Sequence, residues 1–225
     1  MSDTELLDFA VYDFSTVDRL LGLPSGTSKR WIDGYSIGEK VYPPVIRDVR
    51  TGVEDVTWGE FVETRLLAMY RRDRDIPMQR MRPAIQRLRE LLGIKYPLAH
   101  SQPFVGVNRE LVIGVQEDLQ IETQYQLWVI RSGQYILADP AKQFFETVKF
   151  DDLGGYVTQI WPDSDRIVEI NPLKQFGSPV VRAVPTSVLA ELMRAGDSIE
   201  MICDLYELDT REVEAALRYE LRISA

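Results

Sequence analysis

Residues 14–34 read FSTVDRLLGLPSGTSKRWIDG, and the reading of this stretch decides the fold of the N-terminal half. Val17, Leu20 and Leu21 recur at helical spacing behind Ser15 and Asp18, which stand at cap and third positions, so a short helix is predicted to start here. Gly22 ends it. Pro24 and Ser25 open a second, polar helix, predicted over 25–35. Two short helices joined by a tight turn make a helix-turn-helix, and its second helix must begin with side chains small or polar enough to approach base edges. Ser25, Thr27 and Ser28 meet that requirement. Lys29 and Arg30 can reach phosphates or a guanine edge, while Trp31 and Val17 are expected to pin the two helices together.

The segments that follow extend this reading. Residues 35–48, YSIGEKVYPPVIRD, combine a glycine, a proline pair and alternating apolar residues, which predicts a hairpin, or wing, that presents Lys40 and Tyr42 to a nucleic-acid backbone. Thr57 and Glu60 make a capping box. Behind it Trp58, Phe61, Val62, Leu66, Met69 and Tyr70 predict an amphipathic helix over 58–73. Arg71 and Arg72 open a basic run, RRDR, that would add phosphate contacts. Met78, Met81, Ile85, Leu88 and Leu92 predict the next helix, opened by Pro77 and closed by Gly93, with Pro83 at a kink or in the first turn.

Beyond residue 98 the period changes. The stretches 104–107, 111–116, 125–131, 134–138, 144–150, 156–161 and 167–171 are short and rich in β-branched and aromatic residues, and VIRSGQYIL (129–137) predicts a hairpin with a Ser-Gly turn. Helices return after Pro185. Val188, Leu189, Leu192 and Met193 form one stripe stopped by Gly196, and Asp197/Glu200 and Asp209/Glu212 cap two short helices joined by ELD, a second helix-turn-helix shape. The expected fold is α+β in three parts: a winged helix-turn-helix over 1–98, a small antiparallel β region over 99–166, and a C-terminal helix-turn-helix domain over 167–225.

Charge sorts these parts. The 225-residue chain has a net charge of −9, yet residues 1–110 sum to zero and residues 111–225 carry all of it. Residues 71–95 have a net charge of +5 and residues 197–220 a net charge of −6. Such asymmetry suggests two kinds of surface for two kinds of partner. The acidic end would repel phosphates, which assigns nucleic acid to the N-terminal region and protein contact or dimerisation to the C-terminal one. No apolar run reaches membrane-spanning length, and the acidic N-terminus lacks the pattern of a signal peptide. A single cysteine, Cys203, suggests a reducing, cytoplasmic setting. A single histidine, His100, leaves little for metal binding or acid–base work. Phosphate-loop, dinucleotide and nucleophile-elbow motifs are missing, and the acid pairs Asp151-Asp152 and Asp163/Asp165 read as turn residues. The expectation is a non-enzyme without a cofactor or metal.

Two resemblances add to this. Residues 12–98 resemble the MerR-type winged helix-turn-helix through YDFSTVDRLLGLPSGTSKRWIDG, KVYPPVIR and VTWGEFVETRLLAMYRRDRDIPMQRMRPAIQRLRELLG, without that family's long coiled coil and effector domain. The resemblance implies that the second helix enters the major groove, with Thr27, Lys29 and Arg30 on its reading side, and that the wing touches the backbone. Residues 167–221 resemble a small bacterial domain of unknown function found in antitoxins, through IVEINPLKQFGSPVVRAVPTSVLAELMRAGDSIEMICDLYELDTREVEAALRYE, with Ala183 where a glycine is usual. Together they look like the larger VapB-type antitoxins. That resemblance implies a PIN-type endoribonuclease toxin as partner, its metal-binding carboxylates blocked by the antitoxin, and repression of the operon by a DNA-binding homodimer. Arg218 and Arg222 are then candidates for reaching the toxin's carboxylates. The alternative is a stand-alone dimeric transcription regulator that reads DNA in the MerR-like way.

Overall fold

The structure is a computed structural model that describes residues 3–71, 79, 81–131 and 134–223. Arg72, Pro77, Met78 and the Ser-Gly turn at 132–133 lie outside the described residues. The chain divides into two compact units, Met1–Glu146 with Phe150–Val157, and Thr147–Lys149 with Thr158–Ala225. Most of the expected middle region therefore belongs with the N-terminal part.

The first unit opens with α1 (Asp3–Leu7), β1 (Ala10–Asp13), α2 (Phe14–Leu21) and α3 (Thr27–Ile32). The hairpin β2 (Tyr35–Ile37) and β3 (Lys40–Tyr42) follows, and then β4 (Asp55–Thr57), which pairs antiparallel with β1. Helix α4 (Trp58–Arg71) is the centre of the unit. The predicted capping box is present, with Thr57 N–H donating to Glu60 Oε2 at 3.0 Å and Glu60 N–H to Thr57 Oγ1 at 3.3 Å. The amphipathic expectation is corrected, because every residue from Trp58 to Tyr70 is buried. The face that would have met water is covered by the turn at 97–99 and by residues further along the chain. Gly59 permits one of these contacts, since a Cβ there would sit 2.6 Å from the Tyr96 ring.

Helix α5 (Arg82–Leu92) carries Pro83 in its first turn and ends at Gly93 in the left-handed conformation (φ 66°), as expected. The β expectation then fails for 111–116, which lie in α6 (Arg109–Asp118). The β-branched residues are overruled by packing: Val112 and Val115 face the stripe of α5. Gln116 satisfies the next strand, its Oε1 accepting from Leu127 N–H (2.8 Å) and Trp128 N–H (3.1 Å) and its Nε2 donating to the Trp128 carbonyl (2.9 Å). Residues 104–107 span two 3-10 turns, Gln102–Phe104 and Gly106–Asn108, joined at Val105, another correction. The expected hairpin is present as β5 (Trp128–Arg131) and β6 (Gln134–Leu137), in register from Trp128↔Leu137 to Arg131↔Gln134. Helix α7 (Asp139–Glu146) takes the start of the stretch expected as a strand over 144–150. Strands β7 (Val148–Phe150) and β8 (Val157–Ile160) pair with each other.

In the second unit β9 (Val168–Glu169), β10 (Val180–Val181) and β11 (Val184–Pro185) form an antiparallel sheet with β10 in the centre. Helices α8 (Thr186–Ala195), α9 (Ile199–Tyr206) and α10 (Thr210–Ile223) pack around Val168, Val181, Leu189, Ile202, Val213 and Tyr219. Gly196 ends α8 with φ 105°, as expected. The Asp209/Glu212 box is present with bonds of 2.8 and 2.9 Å, but the cap of α9 is Ser198, not Asp197. In the turn between β10 and β11 it is Arg182, not Ala183, that takes positive φ (55°). Cys203 is half-buried against this core. Among the described residues no helix is long and apolar enough to cross a membrane.

Candidate nucleic-acid interface

Helices α2 and α3 are joined through a single carboxylate. Gly22 closes α2 in the left-handed conformation (φ 61°), and Leu23 N–H donates back to the Asp18 carbonyl at 2.8 Å. Gly26 precedes α3 and has no side chain with which to cap it. Asp18, buried on α2, supplies that cap instead: Oδ2 accepts from Gly26 N–H at 2.6 Å and Oδ1 from Ser28 N–H at 2.8 Å. Ser28 Oγ donates to the Phe14 carbonyl at 2.9 Å, a second tie. The cap of α2 is Asp13, which accepts from Thr16 N–H at 2.7 Å and thereby holds its own carboxyl below the usual range. The expected box of Ser15 with Asp18 is thus replaced, because Asp18 faces α3.

This geometry sorts the sequence candidates. Helix α3 spans Thr27–Ile32, shorter than expected, and leaves Ser25 exposed in the turn before it. Thr27 and Ser28 are corrected as base-edge candidates: both are 0% exposed, with Ser28 tied to α2 and the Thr27 hydroxyl accepting from Arg30 on its own helix. Lys29 and Arg30 are exposed. Lys29 Nζ lies 3.7 Å from Glu54 and 5.8 Å from the centre of the Phe14 ring. Arg30 folds back on the helix start, donating to the Gly26 carbonyl (3.1 Å) and to Thr27 Oγ1 (3.2 Å). Trp31 and Val17 are both buried. Arg71 is half-buried, its guanidinium 5.4 Å from the Trp31 ring, while Arg72 lies outside the described residues.

The hairpin β2–β3 follows α3 directly. Tyr35 and Tyr42 stack at 4.5 Å, and Lys40 Nζ stands 4.9 Å from the Tyr42 ring, at the exposed edge. Gly34 makes the approach possible: it has φ 73°, and a Cβ there would lie 2.6 Å from the Tyr42 carbonyl.

The segment after the hairpin is held by arginines that the sequence reading did not single out for this role. Arg47 donates to Glu60 (2.7 and 3.1 Å), to Asp33 (3.1 Å), to Thr51 Oγ1 (2.7 Å) and to the carbonyls of Val53 and Asp55 (2.9 and 2.8 Å). Burial alone would lower the Arg47 pKa, but Glu60 and Asp33 raise it. Burial likewise opposes ionisation of Asp33, but bonds from Thr51, Arg47 and Gly52 hold its pKa below the usual value. Arg82 donates to the Pro44 carbonyl (2.7 Å), and Arg89 to the carbonyls of Ile46 (2.8 Å) and Lys95 (2.6 Å). Two members of the basic block at 71–95 thus bind the chain's own backbone instead of a second partner. No motif signals the bonds of Arg82 to Pro44 and of Arg89 to Ile46, whose partners lie about forty residues away in sequence.

The C-terminal candidates are also paired within their own unit. Arg222 forms a two-pronged bond with Asp163 (2.5 and 3.1 Å), and Arg218 lies 3.7 Å from both Asp165 and Glu214. Asp151 and Asp165 serve turns as expected, accepting from Leu153 N–H (2.9 Å) and Ile167 N–H (3.2 Å).

Comparison with known proteins adds relatives to this geometry. Residues 168–219 match the family described as "Protein of unknown function (DUF433)". The Mycobacterium tuberculosis "Uncharacterized protein Rv2308" is 38% identical over 97% of this chain and 93% of its own length. From the same organism, "Putative antitoxin VapB45" is 26% identical over 93% of each chain. The crystal structure of Rv2018 from that organism superposes with a TM-score of 0.73 over 94% of this chain and 99% of its own, at 24% identity, and so shares the fold.

Proposed function

The chain belongs to the family of the mycobacterial protein Rv2308, and from that premise we propose that it is a DNA-binding antitoxin. The reading takes its partner from the relative named for an antitoxin. In it the chain binds and neutralises a PIN-type endoribonuclease toxin and represses its own operon as a homodimer. The observation that carries the DNA half is the α2–α3 pair locked by Asp18, with Lys29 and Arg30 exposed on α3 and the Tyr35–Tyr42 hairpin beside it. The second unit supports a separate protein-contact role, because its net charge of −6 over 197–220 opposes phosphate.

The test is to co-express the chain with the ribonuclease encoded beside it. A stable complex, rescue of toxin-arrested growth, and retention of the operon's promoter duplex with steep salt dependence are the expected results. No complex and no rescue, with promoter binding retained, would leave the stand-alone dimeric regulator.

A further inference from the structure

Met201 and Leu205 stand on one face of α9, one helical turn apart, and are 59% and 64% exposed. The core-facing side of the helix carries Ile199, Ile202, Cys203 and Tyr206, with Ile202 at 1% exposure. Single apolar side chains on a surface are ordinary, but an adjacent pair has a different setting here. Glu200, Asp204 and Glu207 are exposed along one side of it, and residues 197–209 contain five acids and no base.

Five of the seven acids elsewhere in residues 158–225 have basic partners. Glu169 pairs with Lys174, Glu212 with Arg182, Asp163 with Arg222, and Asp165 and Glu214 with Arg218. Among the described residues none of the five acids of 197–209 has an ion-pair partner. Glu200 is held in its ionised form by its place at the helix start, where backbone N–H and the Ser198 side chain lower its pKa. An apolar pair flanked on one side by carboxylates without ion-pair partners is complementary to an apolar patch flanked by lysine or arginine. Nucleic acid is repelled by such a face. A second copy docking by the same face would set like charges opposite each other.

We propose that the Met201–Leu205 face of α9 is the docking surface for a basic protein, and that this protein is the ribonuclease of the antitoxin reading, on which the assignment rests. The apolar pair anchors the contact, and Glu200, Asp204 and Glu207 steer it and set its salt dependence.

The experiment measures affinity of the full chain for that purified ribonuclease at low and high salt. It compares the unaltered chain with Met201→Ser/Leu205→Ser, with Asp204→Lys/Glu207→Lys, and with the control Lys142→Ala, an exposed side chain on α7. Far-UV circular dichroism checks that each is folded. The charge reversal is expected to weaken binding by about tenfold or more at low salt and to flatten the salt dependence. The serine pair is expected to weaken it by about tenfold or more with the salt dependence kept. A complex that both variants bind as tightly as the unaltered chain does would overturn the docking surface and leave the antitoxin reading standing. If the unaltered chain forms no complex, the antitoxin reading fails and the surface assignment falls with it.

Discussion

Arg47 and Glu60 form a two-pronged ion pair, Nε to Oε1 at 2.7 Å and Nη2 to Oε2 at 3.1 Å, with side chains 9% and 8% exposed. Asp33 at the end of α3 meets the same guanidinium, so one side chain fixes α3, the segment after the hairpin and the start of α4 together. Removing one partner leaves the other's charge buried without compensation. Arg47→Met is therefore expected to destabilise the first unit by about 3–5 kcal/mol. Lysine cannot reproduce the fork, so Arg47→Lys should recover only part of that. Urea unfolding at neutral pH measures both, and a loss below about 1 kcal/mol would mean that the pair only offsets its own desolvation.

Asp18 is the link between the two helices of the candidate interface. Asp18→Ala removes the acceptor for two N–H groups at the start of α3, and should cost about 2 kcal/mol. Hydrogen exchange then reports where: the Gly26 and Ser28 amides are expected to lose protection before those of α4. Equal loss throughout the unit would contradict a local cap.

Glu63 gives the first unit a pH dependence. It is fully buried on α4, and burial pushes its pKa from 4.5 up to about 8, against the opposing pull of Arg89 and of the Leu98 N–H at 3.0 Å. A raised carboxyl pKa means that the folded state holds a proton the unfolded state has released. Stability is thus greatest below pH 4.5 with respect to this group, and falls between 4.5 and about 8. The slope is at most about 1.4 kcal/mol per pH unit. Glu63→Gln should flatten the dependence of unfolding free energy over that window. An unchanged slope would place the titration on another group.

The ends of helices were legible in the sequence where one residue decides them. Gly22, Gly93 and Gly196 take left-handed φ that other residues adopt at a cost, and Thr57/Glu60 and Asp209/Glu212 close local boxes. The competing caps were not, because Asp13 and Asp18 look alike until tertiary structure places Asp18 against α3. The β-branched run at 111–116 became helix for a similar reason: its partners are on α5, about thirty residues earlier in the chain. Thr27 and Ser28 were read as polar and therefore outward, whereas both are buried, the Ser28 hydroxyl on the Phe14 carbonyl and that of Thr27 beneath the Arg30 guanidinium. Lys29 and Arg30 kept the exposure their position implied.

Those two residues carry the test of the reading helix. On promoter duplex, Lys29→Ala and Arg30→Ala should each cost about 1–3 kcal/mol. Arg30 must leave the Gly26 carbonyl to reach DNA, so its substitution also reports on that rearrangement. Each lost phosphate contact should lower the slope of log affinity against log salt by about 1. Titrations at several salt concentrations separate phosphate from base contacts, and wild-type curves for both variants would remove α3 from the interface.

Phe176 takes a backbone conformation that its side chain disfavours. Gln175, Phe176 and Gly177 have φ of 45°, 53° and 75° in succession, and the Phe176 ring is 90% exposed. The turn is held by Gly177 N–H on the Lys174 carbonyl (2.9 Å) and Ser178 N–H on that of Gln175 (3.0 Å), and neither bond needs the phenyl ring. A left-handed conformation costs an ordinary side chain about 1–2 kcal/mol. Glycine removes that cost but adds about 0.5–1 kcal/mol of unfolded-state entropy. Phe176→Gly should therefore stabilise the second unit slightly, and Phe176→Asn, which tolerates the same φ with less added entropy, at least as much. Paired melts of the two variants read the difference. A loss of stability in both would show that the ring packs against the chain in a way its exposure does not suggest.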